Sequence, residues 1–128
     1  MNKLLVSAGL AAAMIAASPA LADGDPAAGE KVYKKCKVCH MVGEDAKNRV
    51  GPVLNGVMGR QAGALDGYRF SSAMKKAGEN GLVWTEAALD EYLAKPREAV
   101  KGTKMAFPGL KKEKDRQNVI AYIKQFSE

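Results

Sequence analysis

The sequence predicts an all-α domain of four to five short helices joined by long, irregular loops. Three observations carry this. Near the C-terminus Val119, Tyr122, Ile123 and Phe126 recur at intervals of three, one and three, the spacing of one helix face. Asp25 before Pro26 and Thr85 before Glu86 are capping residues placed ahead of helix-compatible runs. From Met41 to Gly67 the chain has no sustained period, and no strand–helix–strand pattern appears anywhere.

At 128 residues the chain is one domain by length. Its first segment stands apart. Met1-Asn2-Lys3 gives a positive start, Leu4 to Ala17 is apolar and alanine-rich, and Ser18-Pro19-Ala20-Leu21-Ala22 ends in a small-x-small cleavage pattern. Residues 1–22 are therefore expected to be a cleaved secretory signal, and 23–128 the mature domain. The apolar run is short for a membrane span, although an uncleaved anchor stays open, and no stable membrane insertion is expected of the rest.

The first helix is expected to run from Pro26 into the segment around Cys36, with Gly29 admitting a close partner helix. The glycine-punctuated stretch from Met41 to Gly67 is a long loop of the kind that wraps something, pressing Val53, Leu54, Val57 and Met58 inward. A short helix starts at Ser71 or Ser72 and stops at Gly78, and Leu82-Val83-Trp84 is extended. Thr85 caps a helix from Glu86 to about Ala94, Pro96 limits it, and Arg97 to Val100 adds a turn. The last helix runs from Glu113 to about Phe126 and crosses the first.

The chemistry is concentrated in Cys36-Lys37-Val38-Cys39-His40, which holds both cysteines and the only histidine of the chain. C-x-x-C-H is the attachment motif of a c-type haem: two thiols one turn apart form thioethers, and the histidine faces the iron. A structural zinc site needs four ligands where only three exist. A thioredoxin-like motif lacks its strand–helix context, and a plain disulfide gives His40 no role. One covalently bound haem c also explains what the loops wrap, and export suits its attachment outside the cytoplasm.

His40 takes one axial position, and composition excludes a second histidine. A methionine, a lysine or an open site remains. Of the methionines beyond the signal, Met41 adjoins His40, while Met58 and Met74 suit a core role. Met105 lies in a loop between Gly102 and Gly109, between helices, and is the preferred ligand. A thioether opposite histidine raises the potential and closes the site, which favours electron transfer over oxygen chemistry.

The formal charge of +6, or +5 once Lys3 leaves, is interspersed. It argues against nucleic acid and suits acidic docking surfaces on protein partners. Lys35, Lys37, Lys75, Lys76, Arg97, Lys101, Lys104, Lys111 and Lys112 are the docking candidates, and charge reversal at Lys104 is expected to slow reaction with partners.

These residues resemble the class I c-type cytochromes, and among them the soluble bacterial cytochromes c2. The likeness spans Asp23 to Glu128 and rests on the haem motif and the stretch Val50-Gly51-Pro52-Val53-Leu54-Asn55-Gly56-Val57-Met58-Gly59-Arg60. It rests also on Gly81-Leu82-Val83-Trp84-Thr85 and on Gly102-Thr103-Lys104-Met105. The resemblance implies that the Pro52 carbonyl accepts the second ring N–H of His40 and that Arg60 and Trp84 hold a haem propionate. Tyr92 and Thr103 are placed by it near the methionine, and Gly29 and Tyr33 against the last helix near Tyr122. Phe70 departs from the pattern, standing where relatives often carry a propionate-binding tyrosine.

It further implies a monomeric, periplasmic one-electron carrier and not an enzyme. Electrons would come from the cytochrome bc1 complex and pass to a photosynthetic reaction centre or a terminal cytochrome oxidase. Two alternatives stay open at this point: a haem enzyme or gas sensor with a labile sixth ligand, and a dedicated donor to a periplasmic reductase.

Overall fold

The computed structural model describes Gly9 and residues 24–127, so the expected signal segment and its cleavage point lie outside the described residues. Five helices follow one another: α1 (Pro26–Tyr33), α2 (Ser72–Glu79), α3 (Glu86–Ala94), α4 (Pro96–Ala99) and α5 (Glu113–Lys124). The described residues contain no sheet, only one antiparallel bridge between Gln61 and Val83. No helix among them is long and apolar enough to cross a membrane.

The starts of the helices follow the capping logic. Asp25, Ser71 and Thr85 each accept a backbone N–H of the first turn, from Ala27, Met74 and Ala88. Pro26 and Pro96 occupy first-turn positions, where a missing N–H costs nothing. α5 has no side-chain cap at Lys112; Glu113 and Asp115 supply negative charge at its positive end instead.

α1 and α5 pack against each other, and α5 also meets α3. A Cβ on Gly29 would lie 1.9 Å from the Asn118 carbonyl oxygen, so only glycine lets the two backbones come this close. Asn118 adds a link, its Oδ1 accepting the Asp25 N–H at 2.8 Å. Val119, completely buried, leads a core that includes Tyr33, Leu89, Leu93, Ile120 and Ile123. Tyr33 and Tyr122 meet across the crossing as tilted rings with centroids 5.2 Å apart.

Boundaries differ from expectation in four helices; α4 spans Pro96–Ala99, one residue earlier than the expected turn from Arg97 to Val100. α1 stops at Tyr33, and residues 34–40 continue in tight turns, with Lys35 N–H bonded to Val32 O and Cys36 N–H to Tyr33 O. α2 runs through Gly78 to Glu79, and α5 ends at Lys124 with Phe126 beyond it. The Gly78 position is a contact point, since its Cβ would lie 1.8 Å from Ala62 O.

Candidate functional site

The Cys36–His40 segment is a compact turn. Cys36 O accepts N–H groups from both Cys39, at 3.0 Å, and His40, at 2.9 Å. Both thiols are free and half-buried. Burial pushes the Cys36 thiol up to about 11, so it stays protonated at neutral pH.

His40 is held from behind. Its Nδ1–H donates to Pro52 O at 2.7 Å, which commits that nitrogen and leaves Nε2 with its lone pair. Burial pulls the imidazole below its ordinary pKa, only partly opposed by the Pro52 carbonyl, so the neutral, ligating form prevails. Gly51 makes room: a Cβ there would stand 2.5 Å from His40 Cε1. The Gly51 N–H in turn donates to Cys39 O at 2.9 Å, tying this segment to the motif.

Arg60 and Trp84 are brought together by two backbone bonds, Trp84 N–H to Arg60 O and Gly59 N–H to Trp84 O, both 2.9 Å. The Arg60 guanidinium donates to Asn55 O at 3.2 Å and Val53 O at 3.4 Å and pairs with no carboxylate of the described residues. Burial lowers its pKa. A half-buried cation with carbonyl partners only is suited to receive an external anion.

Trp84, itself buried, lies against Tyr92 with centroids 5.0 Å apart. Tyr92 Oη meets Thr103 Oγ1 at 2.7 Å, and Thr103 Oγ1 accepts the Met105 N–H at 3.4 Å. Met105 is half-buried and packs on the core. All nine docking candidates are exposed: Lys35 and Lys37 on the motif turns, Lys75 and Lys76 on α2, Arg97 on α4, and Lys101, Lys104, Lys111 and Lys112 on the loops beyond. Lys104 is nevertheless engaged, donating to Arg69 O and lying 4.5 Å from the Tyr68 ring centroid.

Sequence reasoning missed two polar residues of these loops. Asn55 exchanges bonds with the Gly43 backbone, at 2.9 Å and 2.7 Å, and pins the loop that follows His40. Its signal was the Asn55-Gly56 turn pair. Tyr68 donates to Val50 O at 2.6 Å, and nothing in its local sequence pointed there.

An all-α fold with a free C-x-x-C pair, a histidine whose Nδ1 is committed to a carbonyl and a methionine loop tied to α3 fits a c-type haem protein. The chain belongs to the cytochrome c family, whose profile matches residues 26–127, and within it to the class I c-type cytochromes of the bacterial cytochrome c2 and c-554 group. It is similar to cytochrome c2 of Afifella marina, 60% identical over 100 residues that cover 78% of this chain and 81% of that one. It is also similar to cytochrome c-554 of Methylosinus trichosporium, 49% identical over 123 residues covering 96% and 91%. Among solved structures, cytochrome c2 from Rhodospirillum centenum superposes with a TM-score of 0.76 at 47% identity, covering 82% of this chain and 100% of that one. Membership of this group makes the chain a one-electron carrier and not an enzyme.

Proposed function

We propose that this chain holds one haem c, through thioethers at Cys36 and Cys39 and axial ligation by His40 and Met105, and shuttles single electrons in the periplasm. The His40–Pro52 bond carries this reading, because it fixes the ring and presents Nε2 in its basic form. The bound group supplies a ferric–ferrous couple, raised in potential by a thioether ligand. Arg60, which pairs with no carboxylate among the described residues, and Trp84 beside it would receive a propionate. Tyr92 and Thr103 anchor the loop that presents Met105.

The electron donor is the cytochrome bc1 complex, and the acceptor a photosynthetic reaction centre or a terminal oxidase. Two large apolar side chains, Val38 at 69% exposure and Val50 at 74%, directly follow exposed Lys37 and Arg49 in the chain. Exposed apolar side chains with basic neighbours suit a small, transient contact with an acidic surface. The test is reconstitution. Purified holoprotein should be reduced by quinol-fed bc1 complex and reoxidised by reaction centre or oxidase at rates that fall with salt. Failure with every one of these partners overturns the assignment.

A further inference from the structure

Tyr68 reaches both halves of the site. Its hydroxyl donates to Val50 O at 2.6 Å, and Val50 directly precedes the Gly51-Pro52 pair that shapes and bonds His40. Its ring meets Phe70 edge-on, with centroids 4.8 Å apart, and carries the Lys104 ammonium at 4.5 Å. That ammonium also donates to Arg69 O, and Lys104 directly precedes Met105.

The other anchors of the Met105 loop lead to α3 and α5: Thr103 Oγ1 to Tyr92, Leu110 N–H to Leu93 O, and Leu110 O accepting from Arg116. Among the described residues no hydrogen bond runs directly from the loop to the segment behind His40. The path through Tyr68 is a polar connection between them. We propose that Tyr68 is a positioning residue, a clasp that holds the His40 and Met105 segments in register and so limits how often Met105 leaves the iron. The inference rests on the ligation proposed above.

The geometry suits this role. Tyr68 is half-buried, and packing against Phe70 holds its ring while the hydroxyl reaches the Val50 carbonyl at the surface. The ring holds a cation by its face while its edge hydroxyl holds a carbonyl, so one rigid side chain makes two contacts in different directions. Tyr68→Phe removes the carbonyl contact alone and keeps the ring. Lys104→Met removes the cation and keeps the length of the side chain.

The experiment uses the ferric holoprotein, its Tyr68→Phe, Lys104→Met and double variants, and two readouts. One is the limiting rate at which imidazole replaces the sixth ligand at saturating concentration. The other is amide hydrogen exchange at Gly51 and Met105. Tyr68→Phe should raise the imidazole rate roughly threefold to tenfold, the range a single hydrogen bond's net contribution sets. Exchange at Gly51 and Met105 should quicken together, and the double variant should add little to either single one. Exchange that quickens at Gly51 alone, with an unchanged imidazole rate, overturns the clasp. Imidazole kinetics left unchanged by Met105→Ala would overturn the ligation instead, while the two amides would still decide whether Tyr68 couples the segments.

Discussion

Tyr92 and Thr103 meet hydroxyl to hydroxyl at 2.7 Å, joining α3 to the loop that carries Met105. Burial raises the Tyr92 phenol above its ordinary pKa, and the Thr103 bond acts the other way. Because Tyr92 is buried, the two partners are not equivalent. Thr103→Val strands a phenol in the interior and should cost about 1–2 kcal/mol. Adding Tyr92→Phe removes the stranded group and should restore part of that loss. Denaturant unfolding of these two variants and of Tyr92→Phe alone measures both steps, and strict additivity would contradict the pairing.

Gly29→Ala tests the crossing of α1 and α5. Its methyl would meet the Asn118 carbonyl at 1.9 Å and Tyr122 Cβ at 2.9 Å, so the helices must part. A loss of about 3 kcal/mol is expected, well beyond the helix-propensity gain of alanine, and thermal melting of the holoprotein reads it.

Gly29 and Gly78 show how far such features can be read from sequence. Gly29 sits inside a capped, periodic segment, so its presence there needs a packing reason and the structure supplies one. Gly78 stands near the end of a weak segment and looks like a terminator. It is a second close approach, against Ala62 in a distant loop, and local sequence holds no trace of that partner. The order and caps of the helices were legible because they are local. The Tyr68 and Asn55 contacts were not, because loops without a period leave side-chain direction to tertiary packing. The C-x-x-C-H motif announced its chemistry, but the helix expected to carry it ends three residues before Cys36.

Tyr33 is 5% exposed, and its hydroxyl has no hydrogen-bond partner among the described residues. Tyr33→Phe should therefore stabilise the protein, by about 1 kcal/mol. Burial, aided by Cys36 and Tyr122, pushes the Tyr33 phenol up to about 12 from 10.0. Between those values the unfolded chain has lost a proton that the folded chain keeps, so stability falls as pH rises through this window. Below pH 10 the contribution is fully present. The variant should show a shallower alkaline decline in unfolding curves between pH 10 and 12, and a steeper one would contradict the assignment.

Lys37→Glu tests docking. The residue is exposed on the motif turns beside Val38, and it makes no ion pair among the described residues. Reaction with an acidic partner should slow about tenfold at low ionic strength and approach the parent rate at high salt. Stopped-flow rates against salt concentration check it. Lys104 is a poorer probe, because reversing its charge also breaks the contacts with Tyr68 and Arg69.

The central claim is a closed haem site with His40 and Met105 on the iron. The most direct test is the optical spectrum of the reduced holoprotein with and without carbon monoxide. The account predicts an unchanged spectrum, and a new carbonyl spectrum in Met105→Ala. A prompt carbonyl spectrum in the parent protein would mean an open sixth position, and would contradict the electron carrier described above.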